Sequence, residues 1–101
     1  MTWAKLIKAK QDPYKIADSI VDSVETALRA SVDAYLDYDV SEETKTISFY
    51  NDYDFEDGKI DKNEKPYIIK IINEAIKSEN CALIGKIYLT SKEIDFSVKY
   101  N

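Results

Sequence analysis

The chain of 101 residues carries 14 lysines and arginines against 19 aspartates and glutamates, so its formal net charge is −5. It contains no histidine and a single cysteine, which excludes histidine-ligated zinc sites, serine–histidine triads and an internal disulfide. No apolar run approaches the roughly 20 residues of a membrane-spanning helix, and we expect one small cytoplasmic domain over residues 1–101.

Two helices are predicted in the first third of the chain. Residues 1–10, MTWAKLIKAK, place their apolar side chains on one face of a short amphipathic helix. A second helix is expected to begin at Asp12, which caps it, with Pro13 in the first turn. Its apolar residues recur at intervals of three and four, and this spacing predicts that it continues to about Tyr38, with Tyr35 in the core.

The remainder predicts one more helix and three strands. KTISFY, residues 45–50, alternates like a strand, and residues 64–80 carry isoleucines at helical spacing after Asn63, the expected cap. Residues 82–89 and 93–100 then predict two strands joined by a short turn, the last with strict alternation. The order α-α-β-α-β-β predicts an α+β domain whose helices pack on one face of a three- to four-stranded, mainly antiparallel sheet.

An acidic stretch, residues 52–64, partly matches a calcium-binding loop. If Gly58 takes the sixth position of an EF-hand loop, Tyr53 and Phe55 occupy the first and third positions, where the loop requires oxygen ligands. We therefore expect no metal and no cofactor, and a weak calcium-binding module remains an alternative.

Catalysis is not expected from these residues. No catalytic motif is present, and Cys81 lies in an apolar stretch of a chain without a histidine to activate it. Between residues 37 and 64 ten acids stand against three lysines, which also disfavours a phosphate-binding active site. We interpret Cys81 as a structural hydrophobe and expect that the protein is not an enzyme.

The charge is segregated along the chain. Residues 16–36 hold four acids and one arginine, residues 37–64 are still more acidic, and the two ends are net positive. On the predicted long helix the acids fall along one stripe, and tyrosines are interleaved with the acids that follow. This mixture predicts a protein-binding surface. The predicted partner-binding residues are Asp18, Asp22, Glu25, Asp33, Asp37, Tyr38, Asp39, Glu42, Glu43, Tyr50, Asp52, Tyr53, Asp54, Phe55, Glu56 and Asp57.

In size, acidity and aromatic content the chain resembles the small acidic antagonists of phages and mobile elements, such as anti-CRISPR and anti-restriction proteins. It is equally similar to immunity proteins that neutralise nuclease toxins. The resemblance lies in composition and includes no motif. It implies an inhibitor that mimics nucleic acid and occludes a basic surface on a nucleic-acid enzyme, without itself binding nucleic acid or a membrane.

Other properties follow from the same interpretation. The expected setting is a bacterial cytoplasm, with the protein encoded by the cell, a phage or a mobile element. We expect a monomer or a weak dimer. From a different class, the alternative is a structural or adaptor domain whose acidity maintains its solubility.

Overall fold

The computed structural model describes residues 12–29, 32, 34–51, 55 and 59–101 of the chain. Within them, two helices and four strands follow in the order α-β-β-α-β-β. The elements are α1 (Pro13–Leu28), β1 (Leu36–Ser41), β2 (Thr46–Asn51), α2 (Lys65–Ser78), β3 (Ala82–Leu89) and β4 (Ile94–Lys99). The helix predicted over residues 1–10 lies outside the described residues.

The predicted α+β class is confirmed. The sheet has the order β1-β2-β4-β3, and all of its strand pairs are antiparallel. The helices contact each other, α1 contacts β1, and α2 contacts β3. The core contains Phe49 and Phe96, whose stacked rings lie 4.8 Å apart between centroids. In the part of the chain that is described, neither helix is long and apolar enough to span a bilayer.

The sheet is formed by two αββ units that lie side by side. α1, β1 and β2 form the first unit, α2, β3 and β4 form the second, and the pairing of β2 with β4 joins them. Each helix carries a proline in its first turn, followed by a tyrosine, at Pro13-Tyr14 and Pro66-Tyr67. This arrangement leaves β1 and β3 as the two edges of the sheet.

α1 begins where predicted and ends earlier than predicted. The Asp12 side chain caps the helix by accepting the Tyr14 N–H at 3.0 Å, as expected. The helix ends at Leu28. The predicted end near Tyr38 is wrong, because Leu36–Ser41 forms β1.

In residues 34–36, part of the segment predicted as helix, buried and exposed side chains alternate as they do in extended chain. Ala34 and Leu36 are buried and Tyr35 between them is exposed, whereas the Val32 N–H still donates to the Leu28 carbonyl at 2.9 Å. Tyr35, expected in the core, is 65% exposed, and its ring centroid lies 5.6 Å from the guanidinium carbon of Arg29. Helical spacing predicted Tyr35 in the core, and the structure places it on the surface.

α2 is confirmed, although its cap differs from the prediction. The N-cap residue is Glu64, without a side-chain capping bond, so the prediction of Asn63 as the cap is wrong. At the other end, Asn80 adopts the left-handed conformation at φ +57°, and the Cys81 N–H donates to the Ile76 carbonyl at 3.1 Å. This geometry closes the helix and turns the chain into β3.

A single carboxylate connects α1 to the start of β1. Glu25 Oε2 accepts the Leu36 N–H at 2.8 Å, while Oε1 lies 3.2 Å from Arg29 Nη2. The Glu25 side chain is only 15% exposed. A charged acceptor in a partly buried position is among the stronger hydrogen-bonding groups in a protein. Glu25 therefore fixes the position of the first residue of β1 relative to α1.

We predict that Glu25→Ala lowers the free energy of unfolding by about 1–3 kcal/mol, because the Leu36 N–H loses its acceptor. Urea denaturation of both proteins measures the change. Asp22→Ala is the matched control on the exposed surface of the same helix and should change stability by less than about 0.5 kcal/mol. Equal losses in the two variants would contradict the tethering role of Glu25.

Candidate functional site

The side of the sheet that faces away from the helices, which we term the open sheet face, carries a row of alternating carboxylates and phenols. In cross-strand register the row is Asp37, Tyr50, Asp95 and Tyr88. Residues directly opposite one another share a face of the sheet, so this row crosses all four strands. Both aspartates are exposed, Tyr50 is half-buried, and Tyr88 is 54% exposed.

The neighbouring row of the open sheet face has a polar centre. It consists of Asp39, Ser48, Ser97 and Ile84. Ser97 Oγ donates to Ser48 Oγ at 3.1 Å. The two serines are half-buried, whereas Asp39 and Ile84 are exposed. The row therefore runs from an acidic end on β1 to an apolar end on β3.

Four exposed acids concentrate the negative charge at β1 and its turn to β2. They are Asp37, Asp39, Glu42 and Glu43, and we term them the acidic hairpin. Lys45 is the one basic residue in the hairpin sequence from 36 to 51. The structure thus brings together four predicted site residues and adds Asp95 from β4, which sequence reasoning missed because it lies far along the chain.

Tyr38 links β1 to α1. Its ring lies 6.2 Å from the Phe49 ring and 6.5 Å from the Tyr14 ring between centroids. Its hydroxyl donates to Asp18 Oδ1 at 3.0 Å. Burial raises the pKa of the Tyr38 phenol above its usual value, and the hydrogen bond to Asp18 and that carboxylate's charge raise it further. Tyr38 is half-buried, so a partner can contact only part of its ring.

The predicted acids of α1 do not extend the acidic hairpin as one free stripe. Glu25 is bonded within the chain, and Asp18 accepts the Tyr38 hydroxyl. Asp22 lies elsewhere, in a groove of about 520 Å³ between the two helices that Tyr67 and Glu74 also line. The helix therefore contributes Asp18 beside the hairpin, while Asp22 belongs to another surface.

Phe55 lies in the core. It is 4% exposed, and its N–H donates to the Lys92 carbonyl at 3.3 Å. Ile60, 2% exposed, likewise donates its N–H to the Ser91 carbonyl at 3.0 Å. The prediction that Phe55 belongs to the partner-binding surface is wrong, because its side chain is buried in the core. The backbone N–H groups of Phe55 and Ile60 attach the connecting stretch to the turn between β3 and β4.

Several predicted site residues lie outside the described residues, and their roles stay predictions. They are Asp33, Asp52, Tyr53, Asp54, Glu56 and Asp57. Among the residues that the structure describes, no three cysteine or carboxylate side chains are grouped so as to hold a metal ion. The calcium-loop alternative involves residues 52–64, of which residues 52–54 and 56–58 are not described, so it stays untested.

The two αββ units differ in charge. Residues 12–29 and 34–51 carry eight acids and three basic residues, whereas residues 59–101 carry eight basic residues and six acids. Since β1 and β3 are opposite edges of the sheet, negative charge gathers on the β1 side of the molecule. The segregation seen along the sequence is therefore also a segregation in space.

Cys81 is half-buried and packs against the core. Burial raises the pKa of its thiol, and the nearby Glu79 carboxylate raises it further. The group is therefore held as the unreactive thiol at neutral pH.

No protein-family model matches the sequence, and neither the curated proteins nor the solved structures gave a match.

The raised pKa of Tyr38 predicts a loss of stability at alkaline pH. The folded state holds the phenol proton more tightly than the unfolded state does. This stabilisation is therefore complete below the unfolded pKa of about 10 and is lost as the pH rises through the higher folded pKa. In Asp18→Asn, where the carboxylate is absent, tyrosinate absorbance should develop at lower pH than in wild type. Tyr38→Phe should lack that part of the titration.

Asp22→Asn removes the same charge from the same helix and should titrate like wild type. Identical tyrosinate titrations of wild type and Asp18→Asn would contradict the assigned contact.

Proposed function

We propose that the protein is an inhibitory binding protein whose acidic hairpin and open sheet face occlude a basic, nucleic-acid-binding surface of a partner enzyme. One observation carries this proposal, namely the row of alternating carboxylates and phenols that crosses the sheet beside four exposed acids. A basic groove that normally binds phosphates meets negative charges of comparable density on this surface. The protein acts in this role by binding and not by catalysis.

The sheet itself spaces the carboxylates. Asp37 and Asp39 lie two residues apart on β1, a separation of about 7 Å along the strand. Asp37 and Asp95 lie two strands apart, which is about 10 Å across the sheet. Backbone hydrogen bonds maintain these distances, so the charges are presented on a rigid scaffold. Lysines and arginines placed for successive phosphates can contact several of these carboxylates together.

The tyrosines add what a phosphate backbone lacks. Tyr50 stands between Asp37 and Asp95 in the row, and Tyr88 stands beyond Asp95. An arginine that pairs with a carboxylate can also stack its guanidinium on the neighbouring phenol. Tyrosine buries a large area at low entropic cost, which favours a protein partner over a small cation.

The uneven distribution of charge supports one orientation of docking. The negative potential of the β1 side attracts a basic surface during the encounter, while the more basic β3 side repels it. A partner steered in this way meets the acidic hairpin first. The open sheet face is continuous with the hairpin and forms the rest of the contact.

The identity of the partner decides between two biological roles. A nuclease toxin and a nucleic-acid-binding defence complex both present basic surfaces, and the same acidic hairpin fits either. The first partner would make the protein an immunity protein, and the second an anti-defence inhibitor. Both roles place the protein in the cytoplasm of a bacterium.

Affinity capture with wild type and with Asp37→Asn/Asp39→Asn tests the proposal. The amides remove charge and nearly preserve shape, so a loss of binding reports electrostatics. From a bacterial lysate, wild type should retain a basic, nucleic-acid-binding protein, release it at high salt, and block its binding to nucleic acid after purification. The double variant should bind that protein roughly tenfold more weakly or worse.

Glu64→Gln/Glu74→Gln removes the same charge from the second αββ unit and should bind like wild type. Binding that is insensitive to salt, or equally weakened in both double variants, would overturn the proposal. So would a captured protein that is acidic, or one whose nucleic-acid binding is unaffected.

A further inference from the structure

The two edge strands of the sheet are protected to different degrees. β3 has an irregular register between Ile84 and Tyr88, with Gly85 at φ +69° and Lys86 beside it. Bulges and lysines of this kind discourage further strand pairing. β1 pairs with β2 in unbroken register and contains neither proline nor lysine. In the described part of the chain, no strand lies on its outer side.

The outward backbone groups of β1 can be assigned from its hydrogen bonds. The Leu36 N–H donates to Glu25 at 2.8 Å, and the Tyr38 N–H donates to the carboxylate of Asp37 at 2.8 Å. Neither of these N–H groups is directed at β2. Because N–H groups alternate sides along a strand in an antiparallel sheet, the Val40 N–H points the same way. Tyr38 and Val40 therefore present backbone groups at the open edge.

We propose that β1 binds an extended basic segment of the partner by strand addition, with lysines or arginines at alternate positions facing Asp37 and Asp39. This inference rests on the proposed function and specifies its mode of binding. The intervening positions of the added strand would carry apolar side chains. They would cover Tyr38 and Val40, which are half-buried on the other face of the sheet.

The contact between Asp37 and the Tyr38 N–H explains how an added strand can replace the Asp37 carboxylate as the acceptor of that N–H. In the free protein the Asp37 carboxylate occupies the position that a carbonyl of an added strand requires. A lysine or arginine on that strand offers Asp37 a charged donor in exchange. The Tyr38 N–H is then available to the carbonyl of the incoming strand, while the Val40 groups extend the ladder. Basic side chains are thus required for pairing as well as for attraction.

The same charges select against a second copy of the chain. If two β1 strands paired with each other, Asp37 and Asp39 of each copy would stand opposite or next to the acids of the other. Like charges facing each other across strands are destabilising. Main-chain hydrogen bonds would therefore contribute to affinity only when the added strand carries the opposite charge.

A peptide of alternating lysine and valine, as long as the six residues of β1, tests the inference on the full chain. A peptide of the same sequence with every backbone nitrogen methylated keeps the charge and cannot donate hydrogen bonds. NMR titration should show binding of the first peptide with slowed hydrogen exchange at the Val40 amide. The methylated peptide should bind at least about tenfold more weakly. Equal binding of the two peptides, or no binding of the first, would overturn strand addition.

A pair of variants applies the same test to the protein. Val40→Pro removes the outward N–H, a change that edge strands tolerate, and Val40→Ala is matched for the loss of the side chain. Val40→Pro should bind the lysine–valine peptide at least about tenfold more weakly than Val40→Ala. If both bind alike while Asp37→Asn/Asp39→Asn weakens capture of the partner, strand addition is wrong and the proposed function stands. If Asp37→Asn/Asp39→Asn changes neither the binding of the peptide nor the capture of the partner, both strand addition and the proposed function are wrong.

Discussion

The pairing of β2 with β4 is the interaction on which the arrangement of the molecule depends. It joins the two αββ units into one sheet, and its register sets Phe49 against Phe96 inside the core. On the outer side the same register places Tyr50 beside Asp95. It also leaves β1 and β3 at opposite edges, so the acidic unit and the more basic unit end on opposite sides of the molecule.

The carboxylates of the first unit act in two directions. Glu25 and Asp18 are directed at the rest of the fold, where they accept the Leu36 N–H and the Tyr38 hydroxyl. These bonds offset part of the repulsion that accompanies so many acids in one unit. The acidic hairpin is directed at solvent, and Asp37 takes part in both roles because it also accepts an N–H of its own strand. Carboxylates thus both hold β1 to α1 and form the charged surface that faces solvent.

Part of the fold could be predicted from the sequence, because in some segments the apolar residues recur at a spacing that fits only a helix or only a strand. α2 and β4 are of this kind, and both form as predicted. The segment after Leu28 is ambiguous, because residues four apart share a side both in a helix and in a strand. Val32 and Leu36 fit either, and the burial of Ala34 together with the exposure of Tyr35 shows that the chain is extended there. The alignment of the acidic hairpin with Asp95 could not be predicted, because it arises from strand pairing between distant segments.

Hydrogen exchange of the free protein tests most directly the claim that β1 is an open, acidic edge. The amides of Asp37 and Asp39 point toward β2 and should exchange slowly, because the sheet holds them. The Val40 amide points outward and should exchange much faster than the amides of Asp37 and Asp39. Protection of Val40 equal to that of Asp39 would show that the edge is already covered, and this result would contradict the account.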